Sequence, residues 1–388
     1  MRIKKIHFIN DLLEQHKISN IYKSLNYSFN ESIFYESEET DERVLVEINI
    51  AFPKFLIPTF NNNYYQTKKI TQKYLDGFGI IIDPNTKDIS QYLNTHFSKN
   101  SRAPIIKKMK RLESCFNIHY KVFYGAIVEE TYTNLMHRTH AMLMRRFEQR
   151  KDNNFILNDW NKYVKLLFPL INNREASLFV IYNDVTPIQV SINFHYEKTF
   201  FAYIPAYDID YAQFGLGNTA VYKQLEWCVE NKYVYLDMGN GDYDYKKRWC
   251  NYSYELETHV YYKKSSISAN ILALKEINKI QFKNKAKDLL NSRLIKKIKE
   301  YYKTKTNKKI SFSNNNIEKI DIEESNLTLK KIDLTKNSKR EYLNEHIYNF
   351  IYTYKEHFDT ISVYKISNET DSFIVKGKDN SIKIIFNK

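Results

Sequence analysis

Cysteine is scarce in this sequence, and it has no hydrophobic run long enough to cross a membrane. The 388 residues include three cysteines, Cys115, Cys228 and Cys250. None has the paired spacing of a zinc site or of a disulfide framework. No apolar run reaches about 18 residues, so the sequence predicts no transmembrane helix. Asn10, Asp11 and Glu14 interrupt the stretch where a signal peptide would need apolar residues, and we therefore expect a cytoplasmic protein.

Positive charge is concentrated in one segment. The formal net charge is +14, and the segment from Lys263 to Lys309 holds 15 Lys and Arg against three acids, a net +12. Large apolar residues recur there near helical spacing, which predicts an amphipathic helix over Ser268–Tyr302; they are Ile271, Leu274, Phe282, Ala286, Leu290, Leu294, Ile298 and Tyr302. This helix either covers the core as a solvated element, attaches peripherally to an anionic membrane, or contacts nucleic acid, for which no recognised motif is present.

Three β-strands followed by a helix and another strand form the clearest pattern in the chain. Turn residues separate the three strands Leu178–Tyr182, Pro187–His195 and Phe200–Tyr207, which predicts an antiparallel meander. A helical pattern over Asn218–Glu230 follows, and a strand over Tyr233–Asp237 comes next. A helical crossover of this kind places the last strand beside the third. The sequence therefore predicts a mixed α/β (α+β) fold.

The rest of the chain divides into parts by the same criteria. We predict an N-terminal α/β half (1–150), a core domain (151–262), a basic helical segment (263–311) and a small α/β appendage (312–388). Within the first part, strands are expected at Arg43–Ile50 and Phe78–Ile82. Helices are expected at Ile89–Leu112, broken near Pro104, and at Thr131–Arg150.

The start of the helix after the third strand reads Gly215-Leu216-Gly217-Asn218. Backbone N–H groups at such a position can face a phosphate, and the helix dipole adds attraction. The same Gly-x-Gly pattern also occurs in tight connections that bind nothing, so both interpretations stay open on this feature alone.

A second motif lies at the end of the following strand, where Asp237, Gly241-Asp242, Tyr245-Lys246 and Trp249 stand in order. It resembles the signature of one branch of the GNAT superfamily, the N-acetyltransferase-like acyl-CoA transferases. That branch is associated with cellulose and exopolysaccharide biosynthesis and is similar to the FemAB aminoacyl transferases of peptidoglycan assembly. The resemblance covers residues 90–255. Upstream, the Gly-x-Gly loop matches the superfamily's phosphate loop in part, because Gln213 stands one residue too close to Gly215.

This resemblance implies a GNAT fold with a mixed, mostly antiparallel sheet and a GNAT-like, tandem or extended N-terminal half. It also implies acyl-CoA as co-substrate; the expected cofactor-binding residues are Gln213, Gly215, Leu216, Gly217 and Asn218. Lys246 is expected to stabilise charge on the thioester carbonyl or to bind an anionic acceptor, unless it is simply a lysine on a solvated turn. Tyr245 beside it is a further catalytic candidate.

Asp237 is the expected general base, with a purely structural hydrogen-bonding role as the alternative. Asp242 either orients the acceptor or caps the next short helix. The remaining substrate contacts implied by the resemblance are His137, Tyr207 and Trp249. His137 and His140 have no third ligand, so no metal site is expected.

The function predicted from these features is N-acyl transfer from acyl-CoA to an amine of a sugar or cell-envelope polysaccharide precursor. Aminoacyl transfer from tRNA is the enzymatic alternative, because the basic helix would suit a tRNA donor. A third possibility is an inactive GNAT-like domain that serves as a scaffold in polysaccharide biosynthesis. The expected location is the cytoplasm, with or without peripheral contact to an anionic membrane through residues 268–302.

Overall fold

The computed structural model describes residues 3–37, 44–60, 64–151, 155–241, 243–290, 316–319, 327–334, 341–369 and 371–386. Two predictions fall partly or wholly outside them. Asp242 is not among the described residues, and neither is the basic segment beyond Leu290, which contains Leu294, Ile298 and Tyr302.

The described part of the N-terminal 150 residues contains both strands and helices. In chain order the elements are β1 (Ile3–His7), α1 (Phe8–Gln15), β2 (Tyr22–Tyr27), β3 (Ile33–Glu36), β4 (Val46–Pro53), β5 (Leu56–Phe60), β6 (Tyr65–Ile81), α2 (Ile89–His96), α3 (Lys99–Cys115), β7 (Ile118–Phe123) and α4 (Glu129–Arg150). The two strands predicted in this part overlap with β4 and with the end of β6.

The central part carries the predicted meander. Its elements are α5 (Phe155–Asn158), α6 (Trp160–Asn172), β8 (Ala176–Asn183), β9 (Thr186–Tyr196), β10 (Thr199–Tyr207), a 3₁₀ helix (Ile209–Phe214), α7 (Leu216–Glu230), β11 (Tyr235–Asn240), α8 (Asp244–Trp249), β12 (Tyr252–Lys263) and α9 (Ile267–Leu290). Asp184 and Glu197 adopt left-handed backbone conformations in the two hairpin turns, with φ of 49° and 48°. These tight turns set β8, β9 and β10 side by side.

One nine-stranded sheet joins the two parts, in the order β1-β4-β12-β6-β11-β10-β9-β8-β7. Neighbours are antiparallel except for the pairs β1–β4 and β10–β11, which are parallel. The predicted mixed α/β fold with a mostly antiparallel sheet is confirmed. The sheet runs across the predicted boundary between residues 150 and 151, because β7 pairs with β8 and β11 pairs with β6. A smaller sheet, β3-β2-β5, lies in the N-terminal part.

The helix predicted over Ile89–Leu112 is interrupted, but not at Pro104. The interruption falls at Phe97, which is buried in an extended conformation, and at Ser98, whose side chain caps α3. Pro104 lies inside α3. Its missing N–H would have bonded the carbonyl of Asn100, an exposed residue whose carbonyl can bond water instead. The prediction of a break near Pro104 was therefore wrong.

The packing face predicted for the basic helix was also wrong in its described part. Ile271, Leu274 and Phe282 are exposed, whereas Ala269, Ala273 and Ile277 are buried. The buried residues pack in one cluster with Val46, Ile48, Ile70, Val260 and Tyr262 of the sheet. Small alanines let α9 approach the sheet closely, which large side chains on the same face would prevent. Among the described residues, no helix is both long and apolar enough to span a bilayer.

The C-terminal part forms a separate five-stranded sheet in the order β13-β17-β16-β15-β14. Its elements are β13 (Asn316–Lys319), β14 (Leu329–Ile332), α10 (Glu341–Tyr354), a 3₁₀ turn (Phe358–Thr360), β15 (Ser362–Ile366), β16 (Ser372–Lys376) and β17 (Ser381–Ile385). Helix α10 packs against the 3₁₀ helix that follows β10, and one hydrophobic cluster includes Leu343 and Ile347 of α10 together with Phe116 and Phe214.

Candidate functional site

The parallel strands β10 and β11 separate after a short contact. Their pairing covers three residues of each strand and ends at Phe201 opposite Asp237. Beyond that point β10 continues along β9 with a register shift between Ala202 and Ile204. On the other side, β11 shifts its register against β6 between Asp237 and Asn240. A wedge therefore opens between the two strands, and backbone groups along its edges do not pair across it.

The start of α7 is the first group of candidate residues. Gly215 has φ of +70° and is the N-cap of α7, so no capping side chain covers the first N–H groups of the helix. A Cβ placed on Gly217 would meet no atom within 4 Å, so the space in front of it is open. The side chain of Lys108 from α3 lies against Gly215. Free N–H groups, a helix N-terminus and a neighbouring ammonium suit an anion such as a phosphate.

The other residues predicted for cofactor binding differ in what they can offer. Gln213 is exposed on the 3₁₀ helix. Leu216 is buried, so only its backbone can face a ligand. Asn218 accepts a hydrogen bond at 3.0 Å from the indole N–H of Trp249. Trp249 itself is 1% exposed and stacks edge-on against Phe97, so the structure puts it in the core, where it supports α7, and not on a substrate-facing surface.

Asp237 lies buried on β11 at the point where the wedge opens. The hydroxyl of Tyr254 on β12 donates a hydrogen bond to its Oδ1 at 2.7 Å. Burial raises the pKa of the Asp237 carboxyl to about 6, while the Tyr254 hydroxyl, the Lys246 ammonium and the Gly239 N–H act in the opposite direction. A carboxyl with a pKa near 6 can exchange a proton at neutral pH.

Lys246 is buried beside Asp237, not exposed on a solvated turn. Its Nζ donates to the carbonyl oxygens of Asn240 at 2.5 Å and Gly239 at 3.3 Å. Burial lowers the pKa of the Lys246 ammonium, and the charge of Asp237 opposes that effect. Lys246 thus fixes the connection between β11 and α8, and its charge stays close to the carboxylate.

Three further side chains meet at the mouth of the wedge. Tyr245 on α8 lies near Arg146 and Tyr207; burial raises the pKa of the Tyr245 hydroxyl to about 12, and the charge of Arg146 opposes this. The guanidinium of Arg146 on α4 lies 4.6 Å from the centre of the Tyr207 ring and donates to the carbonyl of Pro205 at 3.1 Å. Two tyrosines and an arginine therefore lie together between the end of β10 and α8.

Asp208, directly after β10, is held by an ionic network. Its carboxylate pairs with Arg138 at 2.6 Å and with Arg145 at 3.2 Å, and Arg145 also pairs with Asp210 at 2.9 Å. Arg138 and Arg145 are seven residues apart, about two turns of α4, and that spacing is a sequence signal that the site prediction did not use. Tyr254 was missed as well, because its contact with Asp237 crosses the sheet and has no local signal.

The predicted contact His137 is exposed on α4, and among the described residues it makes no hydrogen bond, ion pair or ring contact. His140 packs against Trp160 with ring centres 5.4 Å apart. Among the described residues, no group of three histidine, cysteine or acidic side chains is arranged to hold a metal ion.

Residues 99–247 match the family model described as Acetyltransferase (GNAT) domain. The chain therefore contains a GNAT-type acetyltransferase domain, and the resemblance predicted from the motif is confirmed. The matched region includes the two strands of the wedge, the start of α7, Asp237 and Lys246. Tyr254, which contacts Asp237, lies just beyond the matched region.

Three solved structures are similar to this chain at low sequence identity. FemX is 11% identical with a TM-score of 0.41, over 60% of this chain and 75% of that chain. L-PGS from Bacillus licheniformis is 13% identical with a TM-score of 0.36, over 60% and 72%. A conserved protein of unknown function from Bacteroides thetaiotaomicron VPI-5482 is 8% identical with a TM-score of 0.37, over 57% and 71%. No curated protein matches the chain.

Proposed function

We propose that this protein is an N-acyltransferase that moves an acyl group from acyl-CoA to an amine of a sugar or cell-envelope polysaccharide precursor. The observation that carries the proposal is the wedge between β10 and β11, with the open start of α7 at the end of one strand and buried Asp237 in the other. A pyrophosphate fits the helix start. The amides of a pantetheine arm suit the strand edges, as in peptide addition to a sheet.

The chemistry follows from the placement of Asp237. The acceptor amine attacks the thioester carbonyl carbon, the new C–N bond forms and the C–S bond breaks. The Asp237 carboxylate takes the proton that the amine loses and passes it to the departing thiolate, so CoA leaves as a thiol and the carboxylate is restored. A general base works best with a pKa near the working pH, and the pKa of about 6 meets that condition.

Lys246 supports the same step in the proposal. An ammonium has three N–H donors, and two of them are used on the carbonyls of Gly239 and Asn240. The third is left for the oxygen that becomes negative during the attack, where one fixed donor typically contributes 10²- to 10³-fold in rate.

The acceptor class is inferred from the mouth of the wedge. Aromatic rings such as those of Tyr207 and Tyr245 offer faces for a sugar ring, and the guanidinium of Arg146 suits a phosphate or carboxylate. An amino sugar attached to an anionic carrier has both features. Because acyl-CoA is an intracellular compound, the proposal also implies a reaction in the cytoplasm.

A second candidate is transfer of an aminoacyl group from tRNA. One observation favours it: an open groove of about 650 Å³ on α3, close to the start of α7, is lined by basic side chains. They are Lys99, Arg102, Lys107, Lys110 and Arg111. Such a groove suits a nucleic-acid backbone, whereas CoA needs fewer cations.

Calorimetric titration with acetyl-CoA and a longer acyl-CoA tests the proposal. Gly217→Glu places a carboxylate in open space at the helix start, so we expect it to abolish binding without a steric effect on the fold. Gly217→Ala adds a methyl group but no charge, and we expect it to bind acyl-CoA as the unchanged protein does.

Turnover separates the alternatives. Release of CoA thiol in the presence of amino sugars supports the acyl-CoA mechanism, and we expect Asp237→Asn to slow it by about 10²- to 10⁴-fold while leaving CoA binding intact. Saturable binding without turnover of any amine would favour the scaffold role. A folded protein that binds no acyl-CoA but binds aminoacyl-tRNA would replace the first candidate with the second.

A further inference from the structure

An apolar stripe runs along the outward face of α9. Five large side chains on it are between 56% and 79% exposed: Ile267, Ile271, Leu274, Phe282 and Leu289. They follow one another at spacings of four, three, eight and seven residues, which places them in one sector of the helix. The stripe is about 30 Å long at the rise of an α-helix. Soluble proteins rarely leave so many large apolar side chains together in water.

The acidic and the basic side chains of α9 differ in their partners. Glu276 pairs with Lys5 at 3.1 Å and Asp288 pairs with Lys73 at 2.6 Å, so both acids are neutralised by lysines of the neighbouring strands. Exposed lysines accompany the stripe, and in the described part of the chain no acid pairs with them; they are Lys275, Lys279 and Lys285. The solvent side of α9 therefore combines exposed apolar groups with positive charge.

This combination selects one kind of partner. A nucleic acid would use the lysines but would leave the five apolar side chains in water. A second copy of this chain would bring lysines opposite lysines. A bilayer with anionic headgroups satisfies both features, because apolar side chains enter the boundary with the acyl chains while lysines remain at the phosphates.

We propose that the outward face of α9 docks on a membrane surface that contains anionic phospholipid. The helix lies parallel to the surface with Phe282 and the aliphatic side chains inserted. This inference is independent of the acyl donor, because it uses no residue of the wedge.

Co-sedimentation with vesicles tests it with the full chain. Vesicles of phosphatidylcholine alone are compared with vesicles that also contain phosphatidylglycerol, at low and at high salt. We expect binding to the anionic vesicles that weakens with salt. Two double variants should each lower the partition coefficient roughly tenfold or more. One combines Ile271→Ser with Phe282→Ser, and the other combines Lys275→Glu with Lys285→Glu.

The matched control is Val185→Ser. Val185 is 90% exposed in the turn between β8 and β9, so this variant removes an exposed apolar group elsewhere, and vesicle binding should not change. Thermal melting confirms that each variant folds. The proposal is overturned if the unchanged protein does not bind anionic vesicles, or if both double variants bind as well as it does. A dimer in light scattering that the serine variant converts to a monomer would assign the stripe to a second copy instead.

Discussion

At the scale of single residues, Asp237, the proposed general base, also affects the stability of the fold. Its pKa of about 6 in the fold lies above the usual 3.8, so the charged form costs the folded state roughly 3 kcal/mol at neutral pH. Because the folded carboxyl holds its proton longer than the unfolded one, this group makes the protein less stable as pH rises from about 4 to about 6. We expect Asp237→Asn to remove this decrease in the free energy of unfolding, because an amide does not ionise. Urea unfolding at several pH values should show the variant more stable at pH 7, with the difference vanishing near pH 4.

Tyr254→Phe is the companion variant for this experiment. It removes the hydrogen bond that stabilises the carboxylate, so the pKa of Asp237 should rise further. The pH–rate profile should then shift upward, whereas Asp237→Asn should lower the rate by about 10²- to 10⁴-fold. If the free energy of unfolding of Asp237→Asn depended on pH in the same way as that of the unchanged protein, the pKa of Asp237 would not be raised in the fold.

The proximity of Asp237 and Lys246 was predictable from sequence because both belong to one short motif, and a turn of few residues brings them together. Tyr254 and Arg146 were not, since they reach the wedge from β12 and α4. The contact of Tyr254 depends on which strands become neighbours, and those of Arg146 depend on how α4 packs against β10. No pattern near either residue records these neighbours. For Trp249 the motif predicted a substrate contact, but the side chain is buried, because a sequence pattern does not distinguish a buried aromatic residue from an exposed one.

At the scale of elements, the interruption between α2 and α3 provides a test of the corrected boundary. The Ser98 hydroxyl accepts a hydrogen bond at 3.2 Å from the N–H of Ser101 and thereby caps α3. We expect Ser98→Ala to lower the free energy of unfolding by about 1 kcal/mol, because one helix N–H loses its acceptor. Ser98→Asp keeps an acceptor and adds a charge that suits the helix N-terminus, so it should remain near the unchanged value.

Chemical denaturation measures both variants, with Ser114→Ala near the other end of α3 as the control. An equal effect of Ser98→Ala and Ser114→Ala would contradict the assignment of Ser98 as the cap.

The meander β8–β10 was predictable at this scale because turn residues and short-range pairing define it. The face of α9 was not, because two alanines carry its packing and alanine gives little hydrophobic pattern.

At the scale of the whole molecule, long-range pairing decides the architecture. The sheet places β12 between β4 and β6, so the chain returns after the core motif to strands that begin about 200 residues earlier. Sequence periodicity identifies strands but not their neighbours over such distances. That return brings Tyr254 to Asp237, and it makes the N-terminal part and the acyltransferase domain share one sheet.

The C-terminal part should unfold together with that sheet, because α10 packs on the helix that follows β10. Tyr348 of α10 lies 5.3 Å from the ring of Phe116 and 4.5 Å from that of Tyr211. We therefore expect one thermal transition in calorimetry, and Tyr348→Ala should lower its midpoint by roughly 5 °C through lost packing.

The control for this variant is Tyr342→Ala on the same helix. Tyr342 is 54% exposed and contacts Phe373 and Phe386 of the C-terminal sheet, so its substitution should change the midpoint less. Two separate transitions, with Tyr348→Ala affecting only one of them, would show that the C-terminal part folds independently of the acyltransferase domain.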